Sequence, residues 1–302
     1  DGIRDDLVTG VQTCALPICY AVLDGHGLLH AKPRPRYGVY APIVSRNGVA
    51  FFGRDSDATL PVWSAKDGYP GDPAYREFHR DLGWDLPAER IAAHGLPSQR
   101  PLGLKLHRVS DQSAPLDAKQ PYQPEIALER TRHHAQHFLQ GRRRQLDNLQ
   151  AGMSIEPLLV APFDAELFGH WWFEGPSFLA ELFRQGPTEG VSFTSLRGAL
   201  SGTPNLQVCD PCPSSWGRGG FHDYWLNDTN AWIVPEWSKA GQAMVERCSR
   251  GVGSELGLRL LHQAGRELLL AQSSDWSFIL RSGTTTELAK ERVQRHLGRF
   301  WQ

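Results

Sequence analysis

Asp164 closes the apolar run 158–163 and is followed by Glu166, His170, Trp171, Trp172 and Glu174. A carboxyl group walled by aromatic rings loses hydration water, which favours its protonated form. A protonated carboxyl at the end of a strand can deliver its proton to the leaving oxygen of a glycosidic bond. The same residues also allow a plainer reading, in which Asp164 is a loop carboxylate held in a salt bridge. Glu166 and Glu174 are further acids in the same stretch. A retaining mechanism needs two carboxyl groups about 5–5.5 Å apart, one on each side of the bond. Glu166 and Asp164 share one loop and are poorly placed for that, so Glu166 is expected to play a structural part.

Other reactive residue types give weaker patterns. His133 and His137 are spaced i, i+4 but lack the glutamate of a helical zinc motif, so no metal is expected. Cys209 and Cys212 form a lone C-x-x-C with no second pair to complete a zinc site. Five scattered cysteines suit reduced thiols and a cytoplasmic location. The net charge of −1 gives no electrostatic argument for nucleic acid or a membrane surface. The run Arg142, Arg143, Arg144 reads as a solvated helix face. No run of roughly 18 apolar residues exists that could span a bilayer. The ten tryptophans are more telling, because several sit in polar, Gly-rich text where their faces could stack on sugar rings. Each of them could equally be core packing.

The elements that must position these residues can be read from periodicity. Residues 158–163 are a continuous apolar run, expected as a strand buried on both faces. With the acidic loop and a helix over 177–185, they make the strand–loop–helix unit of a parallel barrel, whose catalytic groups lie at strand ends. Further strands are expected at 20–23, 38–44, 49–52 and 191–193, with a turn at Arg46, Asn47 and Gly48. Helical periodicity covers about 73–95 and 124–150, the latter with a stripe of Ala127, Thr131, Ala135, Phe138 and Leu146. After Val234 the pattern is helical only. Pro235 suits a first turn, Leu256, Leu260, Leu261, Ala264 and Leu268 form a stripe, and Thr284 with Glu287 has the spacing of a capping box.

The string APFDAELFGHWWFEGP at 161–176 closely resembles the fourth conserved motif of glycoside hydrolase family 57. DGHGL at 24–28 and YAPI at 40–43 resemble the stretch that follows the family's nucleophile motif. FGRD at 52–55, VWS at 62–64, GYPGD at 68–72, YREF at 75–78, SSWG at 214–217 and SSDW at 273–276 resemble its α-glucan-branching members. The resemblance covers about 19–302 and implies an α/β fold: an incomplete (β/α)7 barrel with helical insertions over 19–232, then an all-α domain over 233–302. It makes Asp164 the general acid/base. It places Arg54, Gly71, Trp216 and Asp275 against an α-1,4-glucan such as amylose or glycogen, with Trp63 and Trp225 as further aromatic walls. No cofactor is implied.

Each assignment has a physical rationale. Arg54 offers a fork of donors, Gly71 lets backbone approach a ligand, and the tryptophans offer faces. Asp275 follows an apolar helix, where a turn contact at the helix end is the plainer reading, although an acid there opposes the dipole. The implied reaction is cleavage of an α-1,4 linkage and transfer of the segment to a 6-hydroxyl by retaining double displacement. An amylase, a 4-α-glucanotransferase or a non-catalytic glucan-binding protein are the alternatives. The family's nucleophile is a glutamate upstream of Asp24. Residues 1–18, DGIRDDLVTGVQTCALPI, match nothing in that motif and read as a non-native leader. The chain is therefore expected to be a fragment, inactive alone, with Val8, Val11 and Leu16 outside the core.

Overall fold

A computed structural model describes residues 18–96, 98–203 and 205–302. Val8, Val11 and Leu16, expected to stay out of the core, lie outside the described residues. In chain order the elements are β1 (Tyr20–Leu23), α1 (Gly25–Leu29), β2 (Ile43–Val44), β3 (Ala50–Gly53), α2 (Ser56–Trp63), α3 (Leu82–Asp85), α4 (Ala88–Ala93), α5 (Pro124–Gln150), α6 (Gly175–Gln185), α7 (Leu196–Gly202), β4 (Gln207–Val208), α8 (Ile233–Ser249), α9 (Glu255–Ala271), α10 (Ser274–Ser282) and α11 (Thr286–Phe300). The chain divides into two compact units. One is 28–211; the other joins 18–27 to 212–302.

The 28–211 unit is α/β with a mixed sheet. β2 pairs antiparallel with β3, Ile43 opposite Phe51, and parallel with β4, Ile43 opposite Gln207. The expected turn at 46–48 joins β2 to β3. Ser45 N–H donates to the Val49 carbonyl at 2.9 Å, and Gly48 takes φ +83°, which glycine adopts without a Cβ clash. α5 begins at Pro124, whose missing N–H costs nothing in a first turn. It buries Ala127, Thr131, Ala135 and Phe138 of the expected stripe, together with Leu139. These meet Trp172, Phe178 and Leu182 in a core that also holds Tyr75 and Val62.

Three expected elements are replaced here. The apolar run 158–163 is extended but joins no ladder, because its bonds go to different segments. Leu158 N–H donates to Tyr40 (2.9 Å), and the Val160 carbonyl accepts from Asp55 N–H (2.8 Å). Of 158–163 only Val160 is buried. Residues 191–193 form no strand either; Val191 N–H closes the end of α6 onto Gly186 at 2.8 Å. The helix expected over 73–95 is broken into α3 and α4 because Leu86, before Pro87, is held extended at ψ 141°.

In the C-terminal unit, α8 to α11 bury Ile233, Ala240, Leu268, Ala271, Leu280, Val293 and Leu297 in one core. The inward face of α9 is Leu261, Glu267, Leu268 and Ala271, whereas Leu256 and Leu260 of the expected stripe are exposed. Glu267 is buried because it is paired: His296 Nδ1 lies 2.7 Å from one carboxylate oxygen, and Gln263 donates to the other at 2.8 Å. That His296 bond, the largest influence, holds the Glu267 carboxyl below the usual range. The capping box expected from Thr284 and Glu287 does not form. α11 starts one residue later, with Thr285 as a cap that makes no side-chain bond. Among the described residues no helix is long and apolar enough to cross a membrane.

Candidate active site

Asp164 stands at the end of the extended run and caps a single 3-10 turn, Ala165–Leu167, with its backbone at φ −67° and ψ 132°. Rings on both sides fix its place. Phe163 and Phe168 pack against the core, 5.6 Å apart, and Leu167 is buried. The Asp164 side chain is exposed and has no hydrogen bond or ion pair among the described residues, so the salt-bridged loop carboxylate is not what is found. The aromatic wall expected over it is used in other ways. Trp172 is 1% exposed, with Phe178 at 4.9 Å and Tyr75 at 5.5 Å. Trp171 is half-exposed, stacks on Phe78 at 4.4 Å, and donates its indole N–H to Glu166 at 3.1 Å. Glu166 therefore orients a ring, in line with the structural part expected of it.

Glu174 is buried at the start of α6 and accepts the Arg76 backbone N–H at 3.0 Å. Burial pushes its carboxyl above the usual range. Arg76 lays its guanidinium 3.5 Å over the Phe173 ring, so segment 73–76 is tied to the far end of the acid loop.

Arg54 follows β3 directly and is half-buried. Its neighbour Asp55 was not among the sequence-derived site residues, although it joins three segments. It donates its N–H to Val160, accepts Gln145 Nε2 at 3.1 Å, and caps α2 by accepting Asp57 N–H at 3.3 Å. The signal was present in the Asp55-Ser56-Asp57 spacing, which is that of a helix start. Trp63 ends α2 and is 42% exposed. Gly71 is buried, and a Cβ there would run into the Ala65 carbonyl oxygen and the Gln112 amide. Close packing therefore accounts for this glycine without a ligand.

The other three residues belong to the C-terminal unit. Trp216 is 44% exposed on a turn in which Ser215 N–H donates to Gly220 (2.9 Å) and Gly217 N–H to Ser215 Oγ (3.0 Å). A Cβ on Gly217 would meet the Trp225 ring at 3.0 Å, so the two tryptophans sit on neighbouring parts of one loop. Trp225 is half-buried, 6.3 Å from Phe278 of α10. Asp275 lies one turn before Phe278, in the first turn of α10, and accepts Ser273 Oγ at 2.6 Å. The contact at a helix C-terminus considered for it is not found: an acid at an N-terminus is favoured by the dipole. Sequence reasoning missed Asn230, which is 1% exposed and donates to the carbonyls of Tyr224 and Ser277, both at 3.1 Å. It locks the tryptophan loop onto α10. The Asn227/Asn230 spacing hints at a loop cap but not at its partner.

Two of the three histidines of α5, His134 and His137, are engaged in hydrogen bonds, and His133 is exposed. His134 Nδ1 lies 2.8 Å from the Tyr75 hydroxyl and His137 Nδ1 2.8 Å from that of Tyr69. Burial lowers His134 to about 4, which leaves it neutral near pH 7. Among the described residues no group of three or more His, Cys, Asp or Glu could hold a metal ion.

Comparison with known proteins now bears on this arrangement. A family model described as the C-terminal part of 1,4-α-glucan branching enzyme matches residues 236–302. The 1,4-α-glucan branching enzyme TK1436 of Thermococcus kodakarensis is 34% identical over 255 residues, which cover 84% of this chain and 35% of that protein. Its crystal structure, described as a GH57 branching enzyme in complex with glucose, superposes with a TM-score of 0.78 at 31% identity, covering 93% of this chain and 50% of that one. The GH57-type branching enzyme of Pyrococcus horikoshii gives 0.77 at 33% identity, covering 92% and 48%. Both of these branching enzymes are described as GH57 proteins, and the chain is similar to each over more than nine-tenths of its own length. The chain is also similar to the α-amylase AmyC of Thermotoga maritima, at TM-score 0.80 and 37% identity, covering 93% of this chain and 54% of that one. The chain thus spans about a third to a half of the length of these relatives.

Proposed function

We propose that this chain serves α-glucan branching, in which an α-1,4 linkage is cleaved and the released segment is transferred to a 6-hydroxyl. The observation that carries the reading is the exposed, unpaired Asp164 at the head of the motif 161–176, positioned by Phe163 and Phe168. Asp164 first protonates the leaving glycosidic oxygen. It then takes the proton from the acceptor hydroxyl as that oxygen attacks the covalent glucosyl intermediate. Following the resemblance, Arg54, Trp63, Gly71, Trp216, Trp225 and Asp275 are proposed to bind the glucan. The incomplete (β/α)7 barrel over 19–232 and the helical domain over 233–302 belong to the same proposal. So does a cytoplasmic location, with which the thiols of Cys209 and Cys212 are in keeping. Double displacement also needs a nucleophilic carboxylate, and no residue of this sequence matches the family's nucleophile motif. On this reading the 302-residue chain alone binds glucan without transferring it. Branching of amylose by the purified chain would overturn that part.

Asp164→Asn tests the assignment in a form of the enzyme that turns over amylose. The amide keeps shape and hydrogen-bonding capacity but delivers no proton, so the rate should fall about 10²- to 10⁴-fold with glucan binding retained. A variant keeping more than about a tenth of the rate would remove Asp164 from the acid/base role. The likeness to AmyC favours one rival, an amylase, in which water replaces the acceptor hydroxyl. Linkage analysis of the products separates the two, since only branching creates α-1,6 bonds.

A further inference from the structure

Glu174 is a buried acid that the proposed chemistry does not use. It is 2% exposed at the start of α6, yet its side chain makes no cap bond to that helix. A carboxylate there would ordinarily be charged and turned to the free N–H groups of the first turn. Here Oε1 instead accepts the backbone N–H of Arg76 at 3.0 Å, and Oε2 is buried without a hydrogen bond. Arg76 lays its guanidinium over the Phe173 ring rather than on this carboxyl. In that setting the uncharged carboxyl is favoured, and ionising it buries a charge without its full set of partners.

The groups around it are few. Tyr75 and Arg76 face it from segment 73–76 and Tyr122 from the stretch before α5, with Glu125 and His134 of α5 behind them.

The acid loop is built so that a change at Glu174 reaches Asp164. It doubles back on itself: Trp172 N–H donates to Leu167, and Gly169 N–H to the Trp172 carbonyl, each at 2.8 Å. A Cβ on Gly175 would lie 2.8 Å from the Phe168 Cα, so the first residue of α6 is pressed on Phe168. Phe168 N–H donates to Ala165 at 3.2 Å and closes the turn that Asp164 caps.

We propose that Glu174 is a positioning residue for Asp164: uncharged, it fastens the far end of the acid loop to segment 73–76, and ionising it loosens the turn that Asp164 caps. The inference rests on the acid/base reading of Asp164. Burial raises this carboxyl in the folded chain, so the fastening is complete below the ordinary glutamate range. It is lost as pH rises through the raised value.

Hydrogen exchange of the 302-residue chain, expressed as protection factors between about pH 5 and 9, tests it. Glu174→Gln keeps an acceptor for the Arg76 N–H and cannot ionise. As pH rises, protection over 165–172 should fall in the wild type relative to Glu174→Gln. Glu174→Ala should lose about 2- to 13-fold at every pH, the loss of one net hydrogen bond. Protection in α8 to α11 should be alike in all three. If Glu174→Ala unfolds, the wild type against Glu174→Gln decides alone. Equal protection in those two at every pH overturns the proposal, and so does a Gln variant as loose as Glu174→Ala. In a form that turns over amylose, Glu174→Gln should hold kcat to higher pH than the wild type, with KM unchanged. An alkaline limb that does not move overturns the link to Asp164. An Asp164→Asn variant that keeps its rate overturns the acid/base reading itself, whatever the exchange of Glu174→Gln shows.

Discussion

In the acid loop 164–174 the anchoring groups are rings: Phe163 and Phe168 pack on the core beside Asp164, and Trp172 is buried among Tyr75 and Phe178. In the tryptophan loop 214–230 they are small polar groups: Ser215 closes the turn, and Asn230 fastens it to α10 through the Ser277 carbonyl. Both loops leave their functional candidates at the surface, Asp164 exposed and Trp216 44% exposed. The contrast separates two jobs that a motif merges. Within the tandem Trp171-Trp172 one ring supports the loop and its neighbour faces solvent, although they are adjacent in sequence.

Trp172→Ala should be the most disruptive way to probe this difference. Truncating a fully buried tryptophan costs about 3–5 kcal/mol, and the loop around Asp164 would lose its floor. Urea unfolding monitored by circular dichroism measures it. A loss below about 1 kcal/mol would deny Trp172 its role as the anchor of the acid loop.

Asn230→Ala should come next, at about 1–3 kcal/mol, because it removes the buried donor to the Ser277 carbonyl and the acceptor of the Asn227 N–H. The effect should be confined to the C-terminal unit. Hydrogen exchange in α10 should speed up while that in α5 stays unchanged.

Trp216→Ala should barely move stability, since its ring is already 44% exposed. Its effect should appear in glucan binding, at about 2- to 13-fold, the equivalent of roughly 0.5–1.5 kcal/mol for a stacked ring. In a form that turns over, reducing ends released should rise relative to branches formed, because water competes better once the acceptor is held less tightly. Trp225→Ala should show the same ratio change together with a modest stability loss, its ring being half-buried beside Phe278. A fall in both activities at constant ratio would make both tryptophans packing residues.

Much of the fold was legible because periodicity survives where a helix is long. α5 ends at its expected position, and its expected stripe is buried except for Leu146, which is half-buried. The turn at 46–48 was equally plain, since Gly48 is needed there at positive φ. The run 158–163 was misread because apolar text reports affinity for the interior and says nothing about which neighbours supply hydrogen bonds. Leu256 and Leu260 were misread for a related reason. Two overlapping leucine stripes run along α9, and only packing against α8 and α11 decides which one turns inward. At the candidate site, the motifs singled out Asp164 and the tryptophans as candidates. The supports Asp55, Glu174 and Asn230 stayed hidden, because a buried polar residue is recognised by its partner, which lies far away in sequence.

Asp55 has a consequence for how the protein is made. Its side chain waits for Gln145, 90 residues further along the chain. At a synthesis rate of about 5–20 residues per second, that delay is about 5–20 s. Over that interval β3 and the start of α2 are made with the second carboxylate oxygen of their joining residue lacking its Gln145 donor. The three-way junction closes only after α5 and Val160 have emerged, so the segment bearing Arg54 is secured well after it is made.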